Sequence, residues 1–187
     1  GDGEILIRGP GVMKEYFGNP AATAEVLKDG WLHSGDIGFL DEGGHLRITD
    51  RKKDIIVTAG GKNVAPQNLE NELKTDPLVS QVMVHGDRRR FLSALVTLNE
   101  ENVRKWAAEN GVEAGEALHA NPRVVARIQQ AVDALNEKQA SYATVKKFAI
   151  LPKDFSQETG ELTPTLKVKR KVVTQKHQAL LDAFDAE

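Results

Sequence analysis

Between Thr49 and Pro66 the chain reads T-D-R-K-K-D-I-I-V-T-A-G-G-K-N-V-A-P, and its chemical character changes three times. Asp50-Arg51-Lys52-Lys53-Asp54 is too polar for a strand interior. Ile55-Ile56-Val57-Thr58 is a β-branched run that predicts a short buried strand. Ala59-Gly60-Gly61-Lys62-Asn63 predicts a turn, where glycine permits positive φ and lets backbone approach a ligand closely. Pro66 suits the first turn of a helix, where its missing N–H costs nothing. A polar joint, a strand, a glycine turn and a helix start together predict a domain boundary with a ligand loop just beyond it.

A chain of 187 residues can bury one full core or two small ones. Its net charge of −2 gives no reason to expect a nucleic-acid partner. Cysteine is absent, which excludes disulfides, thiolate nucleophiles and cysteine metal sites; any thiol chemistry must bring its sulfur from outside. The five histidines show no metal-ligand spacing, so no metal site is expected. No apolar run is long enough for a transmembrane segment. A start at Gly1 leading directly into Glu4-Ile5-Leu6-Ile7-Arg8 is the pattern expected of a piece of a larger protein.

Residues 1–50 read as β-rich, with a strand at Ile5–Ile7, a short helix opened by Asn19-Pro20, and a hairpin turning at Asp41-Glu42-Gly43-Gly44. Three strands and one helix are too few to bury a sheet alone. Residues 51–187 read as a small α+β domain. Strands are expected at Val79–Val84, Phe91–Leu98 and Lys147–Leu151, and helices at Pro66–Lys74, Asn99–Asn110, from Asn121-Pro122 on, and from the end of a Gly160–Arg170 loop to about Phe184.

Four places carry residues suited to chemistry. Asp36, after Ser34-Gly35 at a strand entry, suits a ribose diol, although an Asp after Gly is more often simply a turn residue. Arg51 suits a second ribose or phosphate oxygen, or a surface ion pair with Asp50 or Asp54. Gly60, Gly61 and Lys62 suit a phosphate or a slender ligand chain, or form only a tight turn. Lys167 sits in a loop anchored by Leu166 and Val168, where one cation can stabilise charge on a phosphate and a carboxylate. Alternatively, Lys167, Lys169, Arg170, Lys171 and Lys176 form a solvated basic face. The residues alone leave both readings of Lys167 open.

These motifs, in this order, resemble the C-terminal third of the AMP-forming acyl-CoA synthetases, in the adenylate-forming superfamily with luciferases and peptide-synthetase adenylation domains. Gly30-Trp31-Leu32-His33-Ser34-Gly35-Asp36 is similar to the family's ribose motif, which implies Asp36 on the adenosine hydroxyls. Asp50–Asp54 is similar to its hinge motif, implying Arg51 on ribose and Lys53 as the pivot between domains. Thr58–Asn63 resembles the loop lining the CoA path, implying CoA binding at Gly60, Gly61 and Lys62. Leu162-Thr163-Pro164-Thr165-Leu166-Lys167 resembles the catalytic-lysine motif of the long-chain members. Short-chain and aryl members usually carry Gly before that lysine, and Leu166 departs from them.

The resemblance implies an α+β fold: a mobile C-terminal domain over residues 51–187, a small three-stranded sheet with packed helices, preceded by a β-rich remnant of the large N-terminal domain over residues 1–50. It implies fatty acid, ATP with Mg, and CoA as reactants, with the ATP phosphates, Mg and acyl chain held upstream of Gly1. The fragment alone is then expected to be inactive. Its cellular setting is expected to be cytoplasmic with peripheral membrane contact, and its unpaired residue 1–50 strands open to self-association. The rival readings are a fatty acyl-AMP ligase that serves a carrier protein, and a non-catalytic basic interaction module.

Overall fold

A computed structural model describes residues 3–113 and 117–186, and the chain divides into two compact units, Gly1–Ile55 and Ile56–Glu187. The division therefore falls just beyond the charged Asp50–Asp54 stretch rather than at its start. In the first unit, strand β1 (Glu4–Ile7) precedes helix α1 (Pro20–Val26), strands β2 (Leu27–Lys28), β3 (Trp31–Leu40) and β4 (Leu46–Arg51), and a 3₁₀ turn over Lys52–Asp54. Asn19 caps α1 as its sequence predicts, its side-chain oxygen accepting the Ala22 N–H at 3.0 Å.

Strand β3 organises this unit, pairing antiparallel with β1, β2 and β4. Strand β2 was not expected, because two residues are too short to show a period. It exists because Asp29-Gly30, at φ 51° and 79°, makes the tight hairpin turn that brings Lys28 opposite Trp31. The polar joint is also corrected: Asp50 and Arg51 end β4, and Asp50 is buried. Main-chain pairing of Asp50 with Ile37 and of Arg51 with Asp36 holds them in the ladder despite their charge. Phe39, Leu40, Leu46 and Ile48 remain exposed on this sheet.

The second unit opens with a hairpin of β5 (Ile56–Val57) and β6 (Asn63–Val64), followed by α2 (Pro66–Leu73). The expected four-residue buried strand is thus shorter. Ile56 is buried, but Val57 faces outward at 43% exposure because a two-residue hairpin buries one face only. Then come β7 (Val79–His85), β8 (Leu92–Leu98), α3 (Glu100–Glu109), α4 (Pro122–Asn136), β9 (Val145–Ile150), α5 (Arg170–Lys176) and α6 (Gln178–Ala186). Pairing of β7 with β8 is antiparallel and of β8 with β9 parallel, α3 and α4 lying in the crossover. This is the expected α+β architecture of a three-stranded sheet with helices. The single terminal helix expected is two, interrupted at His177 with φ −110° and ψ 19°.

Alternation along the strands gives the sheet two buried faces. Val82, Val84, Ala94 and Val96 pack with Ile56, Val64, Leu69, Leu73, Ile128 and Val132. Met83 and Leu95 point the other way, to Leu151, Phe155, Leu162, Val173 and Leu181. Helices α2 and α4 thus cover one face and α5 and α6 the other. A buried clamp ties the two layers together. Both carboxylate oxygens of Glu70 on α2 accept from Arg170 Nη2 at 2.7 Å. Arg170 Nη1 also donates to the Val84 carbonyl at 3.1 Å, and the Val84 N–H donates to Glu70 Oε1 at 2.7 Å. Arg170 was grouped with a solvated basic face; the structure places it in this clamp, because the start of α5 lies against β7.

Removing one member of a buried pair leaves the other charge uncompensated, so Arg170→Met is expected to cost about 3 kcal/mol in chemical denaturation. Combining it with Glu70→Leu is expected to recover most of that loss. His85 gives a second prediction. Its Nε2 is buried without a partner among the described residues, and burial, with the nearby Arg89 charge, holds its pKa below the usual 6.5. Below about pH 6.5 the unfolded chain takes up a proton that folded His85 resists, so stability falls as pH drops through that range. In His85→Leu, thermal midpoints measured against pH are expected to lose that component.

Candidate functional site

Asp36 and Arg51 come together through strand register. They are direct partners across β3 and β4, and Arg51 Nε lies 2.8 Å from Asp36 Oδ1. Asp36 is inside β3 rather than at a strand entry, since β3 begins at Trp31. Gly35 at φ 72° lets the strand pass through this point, and the Asp36 N–H donates to Ser34 Oγ at 3.1 Å. A carboxylate beside a half-exposed guanidinium offers acceptors and donors side by side, which suits a vicinal diol.

Glu4 on β1 was not singled out from sequence, yet it organises this neighbourhood. Its carboxylate meets His33 Nδ1 at 3.0 Å, the Gly35 N–H at 3.2 Å and Lys52 Nζ at 2.9 Å. Hydrogen bonds from Lys52 and His33 hold its pKa below the usual carboxylate range. Strand pairing joins Glu4 to residues distant in sequence, so no local pattern marks it. Lys53 lies exposed in the 3₁₀ turn that closes the first unit.

In the second unit Gly60, Gly61 and Lys62 form the tip of the β5–β6 hairpin. The Thr58 N–H donates to the Lys62 carbonyl at 3.0 Å, Gly61 N–H to the Thr58 carbonyl at 2.8 Å, and Lys62 N–H to Thr58 Oγ1 at 3.1 Å. Gly61 has φ 72°, a left-handed conformation that glycine takes without cost. Gly60 differs: its φ is ordinary and an added Cβ would meet only Thr58 Oγ1, at 3.9 Å. Its missing side chain leaves an open path over the turn. Lys62 Nζ stands over the Tyr142 ring, 5.9 Å from its centre. The turn is braced from the β7–β8 connection, where the Ala59 N–H donates to the Arg89 carbonyl and the Arg88 N–H to the Val57 carbonyl. Arg89 is in turn held by Asp182 and Asp185 of α6.

Lys167 stands exposed on a second turn of the same construction. The Thr163 N–H donates to the Lys167 carbonyl at 2.8 Å, Leu166 N–H to the Thr163 carbonyl at 2.9 Å, and Lys167 N–H to Thr163 Oγ1 at 3.0 Å. Leu162 and Val168 pair across its base, so the segment is a tight hairpin rather than an irregular loop. The Lys169 N–H donates to the Glu161 carbonyl at 2.7 Å, and the buried Glu161 carboxylate meets Thr159 Oγ1, Lys176 Nζ and His177 Nε2. Burial raises its pKa, but the Thr159 hydrogen bond and the Lys176 charge outweigh it and leave Glu161 below its ordinary range. Glu161, Glu70 and Arg170 are therefore supports of the lysine turn that sequence reading missed. Among the described residues no group of His, Asp and Glu side chains is placed to hold a metal ion.

The two turns are rooted in different cores. Ile56 and Val64 fix the glycine turn to the α2–α4 face of the sheet, whereas Leu162 and Val168 fix the lysine turn to the α5–α6 face.

The family profile described as AMP-binding enzyme C-terminal domain matches residues 53–186. The long-chain-fatty-acid–CoA ligase FadD15 of Mycobacterium tuberculosis is 48% identical over 186 residues, which cover 98% of this chain and 31% of that protein. The long-chain-fatty-acid–CoA ligase ACSBG2 of Rattus norvegicus is 38% identical, over 97% of this chain and 30% of its own length. The chain thus spans about a third of the curated relatives it matches. Among solved structures, the adenylation domain of a carboxylate reductase from Mycobacterium chelonae aligns with a TM-score of 0.80 and 26% identity, over 98% of this chain and 28% of that one. That of Segniliparus rugosus, in complex with AMP and a co-purified carboxylic acid, aligns at 0.78 and 27%, with the same coverage. With these motifs, this fold and this profile match, the chain belongs to the AMP-binding enzyme C-terminal domain family of adenylate-forming enzymes.

Proposed function

We propose that this chain is the C-terminal part of an AMP-forming long-chain fatty-acid–CoA ligase and that its two turns serve successive half-reactions. The observation that carries the reading is the rooting of the Gly60-Gly61 and Lys167 turns in cores on opposite faces of one sheet. A rigid domain so built presents one turn or the other by rotating, a hinge-type gate. The second unit acts as the mobile domain, Lys53 in the turn before it as the pivot, and the strands of the first unit as the last strands of the large domain.

In the first half-reaction a carboxylate oxygen of the fatty acid attacks the α-phosphorus of ATP and pyrophosphate leaves, giving acyl-AMP. Asp36 and Arg51 hold the ribose hydroxyls. The Lys167 ammonium stabilises the negative charge gathered on the α-phosphate and carboxylate oxygens. Mg, when bound outside this chain, neutralises phosphate charge. In the second half-reaction the CoA sulfur attacks the acyl carbon, the acyl–phosphate bond breaks, AMP leaves, and the thiol proton passes to solvent. The open surface over Gly60 admits the slender thiol arm of CoA.

Transfer to a carrier protein is the second reading, supported by the likeness to an adenylation–carrier didomain of carboxylic acid reductase, at a TM-score of 0.75. The higher identity to named CoA ligases favours CoA. A basic interaction module is disfavoured, since Arg170 is engaged by Glu70, and Lys176 by Glu161 and the Thr159 carbonyl.

In the full-length enzyme, Lys167→Ala is expected to lower ATP–pyrophosphate exchange about 10²–10³-fold while leaving CoA ester formation from supplied acyl-AMP nearly unchanged. Gly60→Trp, which the backbone tolerates, is expected to do the reverse. If both variants depress both steps in equal proportion, the alternating reading is wrong. A carrier acceptor would show as acyl-AMP formation with no consumption of CoA.

A further inference from the structure

The glycine and lysine turns have the same hydrogen bonds, with Thr first, a left-handed residue fourth and Lys fifth. In one the fourth residue is Gly61 at φ 72°; in the other it is Leu166 at φ 59°. Glycine takes this conformation freely, whereas a leucine pays for it through its Cβ. The Leu166 side chain gains nothing in return within the chain: it is 61% exposed, among the more exposed large apolar side chains of the described residues. The other positive-φ non-glycine residues have local reasons. Asp29 forms a hairpin turn with Gly30, and the Arg88 N–H braces the Val57 carbonyl at 2.8 Å. The Leu166 N–H does only what that of Gly61 does, so the turn would close as well with glycine.

Strain held without local compensation, immediately before a lysine at the tip of a turn, marks a side chain used in another state of the enzyme. We propose that Leu166 is a positioning residue. It seats the lysine turn in the adenylating pose by burying its side chain against an apolar wall of the adenylate pocket, in the part of the enzyme outside this chain. That part amounts to about two thirds of the relatives' length. An apolar anchor beside Lys167 also keeps water from the ammonium when the pose closes, which strengthens its field. The inference rests on Lys167 being the adenylating cation.

The test uses Leu166→Asn, Leu166→Gly and Leu166→Met beside Lys167→Ala. Asn and Gly accept the left-handed conformation, so the thermal midpoint of the 187-residue chain is expected to rise or hold in both. In the full-length enzyme the same two variants are expected to lower kcat for pyrophosphate exchange about ten- to a hundredfold, the value of one buried leucine contact. KM for the fatty acid and thioester formation from acyl-AMP should stay close to wild type. Leu166→Met keeps apolar bulk and is expected to restore most of the rate. Stability and adenylation moving in opposite directions exclude loss of folding as the cause. If Lys167→Ala cripples exchange but Leu166→Gly leaves it within twofold, Leu166 does no seating and the inference fails alone. A raised KM with kcat intact would place Leu166 against the substrate and overturns domain seating. If Lys167→Ala has no effect on exchange, both readings fall.

Discussion

Strand β8 is buried on both sides, and the second unit depends on that constraint. Leu92, Ala94, Leu95 and Val96 are at most 1% exposed, so the strand must be covered by helices above and below. Successive side chains point to opposite faces, which assigns Ala94 and Val96 to one core and Leu95 to the other. The two apolar cores are thus separated by the sheet, and polar links such as Arg170–Glu70 join the layers. Each fully buried Leu or Val side chain contributes about 1.5–3 kcal/mol, more than a typical exposed ion pair.

Two short hairpins exploit this separation. Each is held by a threonine whose carbonyl and hydroxyl accept from the turn, the hydroxyl from the lysine N–H four residues on, so each lysine backbone is fixed. Their anchoring differs. The glycine turn leans on the β7–β8 connection, and through Arg89 on Asp182 and Asp185. The lysine turn is braced at its base by Glu161 and just beyond by Arg170, which reaches through Glu70 to the opposite helix layer. A largely buried pair of this kind contributes little net stability but is costly to break, and here it fixes where α5 begins relative to β7.

Much of this was legible because it is local. Asn19-Pro20, Asn121-Pro122 and Pro66 mark helix starts through caps and a fixed φ, and the structure starts α1, α4 and α2 there. Of the apolar stripe Val124, Val125, Ile128, Val132 and Leu135, all are buried as the helical period requires except Val125, which is exposed. Departures arose where long-range pairing overrode local character. Asp50 and Arg51 look like a polar joint, but the ladder with β3 makes them strand. Arg170 looks like one of a run of solvated cations, but it faces Glu70, 100 positions away in sequence. Glu4 had no local signal at all.

By itself the sequence determined most element types, the glycine turn, and the order of motifs that identifies the family, because these are set by backbone propensity and residue spacing. Tertiary structure alone decided that Asp36 and Arg51 face each other, that Glu70 and Arg170 clamp two layers, and that the two turns root on opposite faces of one sheet. It also decided that Leu166, read from sequence as an apolar anchor of its loop, is strained and exposed. Strand register, facing and φ follow from contacts between segments distant in sequence, and no single segment carries that information.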